Sequence, residues 1–397
     1  MMRILFVHNR YQQAGGEDRV VLAESSLLRA KGHEVELMEE DNDDILGWAD
    51  AAITAGRAVY SFSAAREMRR RIARFKPDLV HIHNFFPRLS PSIHYACHRA
   101  QVPVVQTLHN YRLLCPASTF LRDGKVCEDC LGKAIPWPAA QHGCYRQSRG
   151  ASAAVANMLA LHRAAGTWNR TVTRFIALTE FARRKFVEGG LPAEKIMVKP
   201  NFVDPDPGMG RGTGGYALFV GRLSEEKGIR TLLSAWSQLR SGERLKIVGD
   251  GPLAREVKSA AAAMRTVEWL GSRSGDEVQE LMGDATVLVF PSICYEGFPL
   301  VLVEALAAGL PIIASRLGAM EELIVEGNTG RLFTPRKAGE LTTLLEWALS
   351  HPEHLKKMRQ NARKTFINDY TADTNYARLS EIYKSSTNAI PKKCESL

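Results

Sequence analysis

The sequence predicts an α/β protein built as two doubly wound domains in tandem, on three observations. Short β-type runs alternate with helical patterns along most of the chain. The stretch DPDPGMGRGTGG at 204–215 interrupts them with Pro and Gly and has no periodicity. The alternation then restarts. Strands separated by helices form parallel sheets covered on both faces, and a Pro/Gly-rich break has the composition of a linker. The expected division is a first Rossmann-like domain over 1–203, the linker over 204–215, a second Rossmann-like domain over 216–372, and a last helix with its tail over 373–397.

In the first domain the strand-like runs are 4–8, 35–38, 79–83, 104–108, 175–178 and 197–200, and in the second 216–220, 245–248, 267–269, 286–290, 311–314 and 330–333. The helical pattern of 17–31 ends at Gly32, the residue type that takes the left-handed position after a helix. Further helices are expected over 229–240, 252–263, 300–308 and 338–350. The tail after Lys384 is polar and expected to fray. Open α/β sheets bind ligands at the carboxyl ends of their strands, so two such sheets facing each other would make a cleft lined by loops from both.

The strongest chemical signal is EGFPLVLVE, Glu296 to Glu304, between the run 287–290 and an apolar helix. Glu296 falls on the loop and Glu304 on the helix, roughly two turns in. Carboxylates accept hydrogen bonds from vicinal hydroxyls, and the amides around Phe298, Leu300 and Val301 at the helix start suit a phosphate. Gly297 and Pro299 shape the turn. Read alone, the same spacing also describes an ordinary helix with two solvated glutamates. The second signal is GRLSEEKG, Gly221 to Gly228, after the run 216–220. There Arg222 and Lys227 can hold a diphosphate and neutralise the charge that builds on a leaving nucleotide, or else form a mixed-charge surface loop. The third is Gly15–Gly16, where a backbone without side chains can approach a phosphate. It lacks the G-x-G-x-x-G spacing, so no nicotinamide cofactor is implied. His109 follows the run 104–108 at a strand's carboxyl end. His8, His81 and His83 lie in or beside strands, where hydrogen-bonded core histidines are the commoner case.

The 397 residues carry a net charge of +9, which suits an anionic partner: a sugar nucleotide, a lipid phosphate, a membrane surface or nucleic acid. The densest basic stretch, Arg66 to Lys76, reads as a solvated helix face or an anionic membrane contact. No apolar run is long enough to span a bilayer, and the opening MMRILFVHNR lacks the cleavage site of a signal peptide. A cytoplasmic protein, with peripheral contact to the inner face of the membrane, is the expectation.

Together these motifs resemble the retaining glycosyltransferases of the GT-B fold, in the large family 4 group. The likeness runs almost end to end: AGGE (14–17), GHEV (32–35), PDLVHIHN (77–84), TLHN (107–110), LTEFAR (178–183) and KPNFVD (199–204), then GRLSEEKG (221–228), VGDGP (248–252), EGFPLVLVEALAAGLPIIAS (296–315) and GNTGRLF (327–333). The resemblance implies a hexosyltransferase with a nucleotide-sugar donor, a UDP- or GDP-hexose, and a saccharide or lipid-linked acceptor in cell-surface polysaccharide synthesis. It makes the first domain the acceptor side and the second the nucleotide-sugar side, with the last helix crossing back to the first domain. It assigns the donor hexose to Glu296, the ribose hydroxyls to Glu304 and the diphosphate to Arg222, Lys227 and the backbone of Gly16. His109 would contact the donor sugar near the reacting carbon, and Gly221, Gly249, Gly297, Phe298 and Leu300 would line the donor site. Ala319 departs from the family, which often has a second glycine after Gly318; the extra methyl bears on donor identity. No cofactor is needed for catalysis.

An expected insertion over 111–148 carries Cys115, Cys127, Cys130 and Cys144 in a C-x11-C-x2-C-x13-C spacing. Four thiols with one tight pair fit a structural zinc site, with His142 as a substitute ligand, or a reduced metal-free loop. Two other functions would make different demands on the sequence. A nucleotide-sugar epimerase on the same scaffold would need an acid/base pair around the sugar and no acceptor site. A zinc-dependent nucleic-acid-binding protein would need basic residues interleaved with aromatics near the cysteines, and 115–144 has only scattered Arg and Lys, so no nucleic-acid partner is expected.

Overall fold

Each of the two alternating stretches closes into a six-stranded, all-parallel sheet. A computed structural model describes residues 1–10, 15–41, 56–239 and 242–389. Ala14 of the glycine loop, Arg240 at the end of one expected helix and the tail 390–397 lie outside the described residues. The chain divides into two units. The first is Met1–Phe120, Glu128–Asn201 and Asn375–Leu397, and the second is Leu121–Cys127 and Phe202–Thr374.

The first unit's sheet comprises β1 (Arg3–Asn9), β2 (Glu34–Glu40), β3 (Leu79–Ile82), β4 (Val104–Thr107), β7 (Arg174–Ala177) and β8 (Ile196–Val198), in the order β2-β1-β3-β4-β7-β8. The two short strands between, β5 (Leu121–Arg122) and β6 (Lys125–Val126), form an antiparallel hairpin. The central strands β3 and β4 are buried at every residue, which is why they read as continuous apolar-rich runs. β2 lies at the edge and alternates charged with apolar residues, as edge strands do. Helix Gly16–Ala30 ends as expected: Gly32 has φ +86°, and the amides of Gly32 and His33 donate to the carbonyls of Arg29 and Leu28.

The second unit's sheet comprises β9 (Tyr216–Val220), β10 (Arg244–Val248), β11 (Val267–Gly271), β12 (Val287–Phe290), β13 (Ile312–Ser315) and β14 (Gly330–Phe333), in the order β11-β10-β9-β12-β13-β14. Helices and sheet bury an apolar cluster on each face, one including Leu218, Leu288, Leu306 and Phe366, the other Phe219, Val289, Trp236 and Leu345. The strand order reverses between β9 and β12, the switch point where doubly wound sheets leave a crevice.

The Pro/Gly-rich stretch 204–215 is held against the second unit. The amides of Gly210, Gly212 and Gly214 donate to the carbonyls of Ala308, Gly283 and Asp284, and Asp206 takes a two-pronged bond from Arg363 at 2.6 Å. Its glycines therefore serve close backbone approach as well as chain direction. Among the described residues no helix is long and apolar enough to cross a membrane.

At the switch point Gly228 has φ +69°, and a Cβ there would lie 1.8 Å from the carbonyl oxygen of Pro291. Gly228→Ala should therefore cost more than the ~1–2 kcal/mol of a left-handed L-residue, seen as a lower urea midpoint. An unchanged midpoint would mean that the two loops do not pack this closely.

Candidate functional site

In the second unit the loops after β9 and β12 are zipped together. The Ile293 amide donates to the Glu226 carbonyl at 2.9 Å, and the Ser292 hydroxyl lies 3.0 Å from the same oxygen. This brings Lys227 to Glu296, with Nζ 2.8 Å from Oε1, and Ser292 Oγ stands 2.7 Å from that oxygen. Burial works against the Lys227 charge, but the Glu296 carboxylate outweighs it and holds the ammonium above its ordinary pKa. Arg222 on the same loop is exposed. Two predicted site residues thus form one half-buried ion pair, with a second cation nearby in sequence and open to solvent.

Gly221 and Gly249 are in direct contact. The Gly221 amide donates to Val248, and a Cβ on Gly249, at φ +134°, would sit 1.9 Å from the Gly221 carbonyl. Gly297, Phe298 and Leu300 are half-buried along the loop and helix start. The helix runs Leu300–Ala307, with Pro299 at its N-cap; it starts where expected, and Glu304 stands about one turn in rather than two. Glu304 is 4% exposed.

In the first unit Gly16 opens helix Gly16–Ala30. Asp18 closes the helix start, accepting from the Gly15 amide at 2.8 Å and contacting His8 Nε2 at 2.7 Å. Burial raises the Asp18 pKa, yet these hydrogen bonds outweigh it and keep the carboxyl below its usual range. His109, just beyond β4, stacks on His83 with ring centroids 5.3 Å apart, and its Nε2 lies 3.0 Å from His83 Nδ1. Burial, with His8 and Lys199 nearby, pushes His109 down to about 3, so the imidazole is neutral near pH 7. A hollow of about 30 Å³ is lined by His83, Thr107, His109, Asn110 and Arg112 among others.

Behind His109 lies a buried polar core that sequence reasoning had seen only in part. Lys199 and Glu24, each 1% exposed, pair at 2.5 Å. Glu24 Oε2 lies 3.7 Å from His83 Nε2 and 4.0 Å from His81 Nδ1. His81 is bonded at both nitrogens, to the Tyr383 hydroxyl at 2.7 Å and the Thr107 hydroxyl at 2.8 Å. Glu24, His81 and His83 bring potential metal-ligand atoms within 4.8 Å of one another. Lys199 already occupies the carboxylate and His81 has no free nitrogen, so this is a hydrogen-bonded core. The strand histidines His81 and His83 are one sequence signal for it, and a lysine just past β8, where an apolar residue is the norm, is another.

Cys115 and Cys130 are buried, and Cys127 and Cys144 are half-buried. Cys130 Sγ contacts the Pro136 carbonyl at 3.8 Å. Cys127 belongs to the segment Leu121–Cys127 of the second unit, the other three to the first.

Two family models match: Glycosyltransferase Family 4 over residues 14–207 and Glycosyl transferases group 1 over 210–365. The glycogen synthase of Mycobacterium tuberculosis is 30% identical over 172 residues, 42% of this chain and 41% of that protein. The lipopolysaccharide 1,2-N-acetylglucosaminetransferase of Salmonella typhimurium is 29% identical over 182 residues, 42% of this chain and 48% of that protein. The matches thus span less than half of either relative. The Anabaena protein HepE, solved in complex with UDP-glucose, superposes with a TM-score of 0.69 at 18% identity, covering 97% of this chain and 100% of that one. Two parallel-sheet α/β domains of the GT-B type are therefore the fold.

Burial depresses the pKa of His81 and His83 well below 6.5, that of His94 to about 4 and that of His109 to about 3. Above pH 6.5 these histidines are neutral both folded and unfolded and add no pH dependence. Below it the unfolded chain takes up protons that the folded one refuses, so stability falls as pH drops toward the folded values. The slope is ~1.4 kcal/mol per pH unit for each such histidine. Urea unfolding of the first unit from pH 7.5 to 5 should show this loss, and a flat profile would contradict the buried neutral imidazoles.

Proposed function

Because the chain belongs to the glycosyl transferases of group 1, we propose that it moves a hexose from a nucleotide-sugar donor to a saccharide or lipid-linked acceptor in cell-surface polysaccharide synthesis. The observation that carries this reading is the Lys227–Glu296 pair at the switch point of the second sheet. A half-exposed ion pair can exchange partners: the ammonium turns to a diphosphate and the carboxylate to sugar hydroxyls, so neither charge is left bare. Arg222 adds a second cation, and Glu304, buried on the helix beside the loop, takes the ribose hydroxyls. Gly221, Gly249, Gly297, Phe298 and Leu300 give the donor a close-fitting backbone and apolar wall. In the first unit Gly16 serves the diphosphate and His109 the donor sugar. UDP-glucose, the ligand of HepE, is the first donor to assay, with GDP-hexoses beside it. The family match leaves the epimerase and nucleic-acid readings without support.

Transfer is proposed to retain the donor's α configuration. A front-face route suits this chain: the leaving phosphate helps take the acceptor's proton, and Arg222 and Lys227 stabilise the departing charge. We place the protein in the cytoplasm, peripheral on the membrane's inner face. Phe62 is 81% exposed on helix Phe62–Phe75, and Arg66, Arg69 and Arg70 are exposed on the same helix. Arg71 and Arg74 are taken up by Glu36, which limits the basic face to part of the stretch. Sedimentation with anionic rather than neutral vesicles tests the placement. The four thiols suit zinc as soft ligands, and we propose it as a structural ion.

Glu304→Gln keeps the size and loses the charge, so donor affinity by calorimetry should fall by about 1.5–3 kcal/mol. Unchanged affinity would remove Glu304 from the site. Proton NMR of products formed with and without EDTA tests the mechanism, and elemental analysis of the same preparation tests the zinc. An α-linked product and activity that survives chelation are expected. An inverted anomer, or immediate loss restored by magnesium or manganese, would refute the front-face route.

A further inference from the structure

Glu24 Oε2 and His83 Nε2 are both buried, and neither has a hydrogen-bond partner. They face each other at 3.7 Å, beyond a hydrogen bond but close enough to choose a tautomer. A carboxylate oxygen in a buried core attracts an N–H and repels a nitrogen lone pair, so the proton of His83 belongs on Nε2. Its Nδ1 is then an acceptor. The contact at 3.0 Å from His83 Nδ1 to His109 Nε2 can form only if His109 donates. The orientation is fixed from behind, because the other oxygen of Glu24 is held by Lys199 at 2.5 Å, a group that only donates.

We propose that Glu24 and His83 are positioning residues that fix His109 as its Nε2–H tautomer, leaving Nδ1 as a lone-pair acceptor for a hydroxyl of the donor sugar. This rests on the reading of His109 as a donor-sugar contact. The depressed proton affinity of His109 supports the same role, since a protonated ring could not accept. The relay moves no proton during transfer; it sets which ring nitrogen meets the substrate.

Glu24→Gln makes a sharp test. The amide oxygen must stay on Lys199, which turns the NH2 group toward His83 Nε2 and makes that atom the acceptor. His83 then carries its proton on Nδ1 and donates to His109 Nε2, so the proton of His109 moves to Nδ1. Long-range proton–nitrogen NMR of the full chain with 15N-labelled histidine reads each tautomer directly. The expected result is Nε2–H on His109 in the native protein and Nδ1–H in Glu24→Gln, with kcat at least about ten-fold lower and donor KM little changed. Glu24→Asp, which keeps the charge, should restore the native tautomer. In a His109→Ala background Glu24→Gln should have no further effect on kcat. Nδ1–H on native His109, or a tautomer unmoved in Glu24→Gln, would overturn the relay, and the native spectrum decides even if the variant fails to fold. Full activity in His109→Ala with the tautomers as expected would instead overturn the donor-contact reading and leave the relay standing.

Discussion

The buried pair between Lys199 and Glu24 constrains the first unit more than any other single contact. Two charges at 1% exposure are tolerable only together; removing one leaves the other unsolvated, at a cost of about 3–5 kcal/mol. The pair ties helix Gly16–Ala30 to the chain just past β8, at the far side of the sheet order from β1. It also holds the Glu24 carboxylate against His81 and His83. Burial keeps these histidines neutral, and the proposed orientation of His109 follows from a carboxylate that has one place to be.

The second unit uses the same two charge types differently. In the Lys227–Glu296 pair the side chains are 24% and 12% exposed, so solvent reaches them and, on the proposed reading, a diphosphate and sugar hydroxyls can take over the two partners. A lysine–glutamate pair fully sealed from water supports structure, and one at a strand-end crevice is available for exchange. The difference comes from position in the sheet.

Much of this was legible in the sequence. The expected strands of the second sheet agree with the observed ones to within about two residues; β9, β12 and β13 are buried along nearly their whole length and read as apolar-rich runs. The ion pair of Lys227 and Glu296 was visible as two motifs, each following a strand, though not as a pair. Glu24 shares the buried stripe of its helix with Val20, Val21, Leu27 and Leu28, so a buried charge is legible there, but its partner, 175 residues away, is not. Helix Pro352–Asp369 is not legible in the sequence, because its polar face dilutes the apolar repeat. The depth of Glu304 differs from expectation although the helix start at residue 300 agrees, because four residues past the start make only about one turn.

The first unit is discontinuous. Its last segment begins at Asn375, after the whole of the second unit's sheet has been passed, and it supplies Tyr383 to the buried histidines. During synthesis the main body of the second unit, Phe202–Thr374, emerges as one uninterrupted piece and can fold while the chain is still growing. The first unit, although made earlier, must wait for the final helix before His81 finds its hydroxyl. Its polar core therefore stays incomplete until Tyr383 has been made, and a chain stalled before that residue would carry a folded second unit and a first unit with an unfinished core.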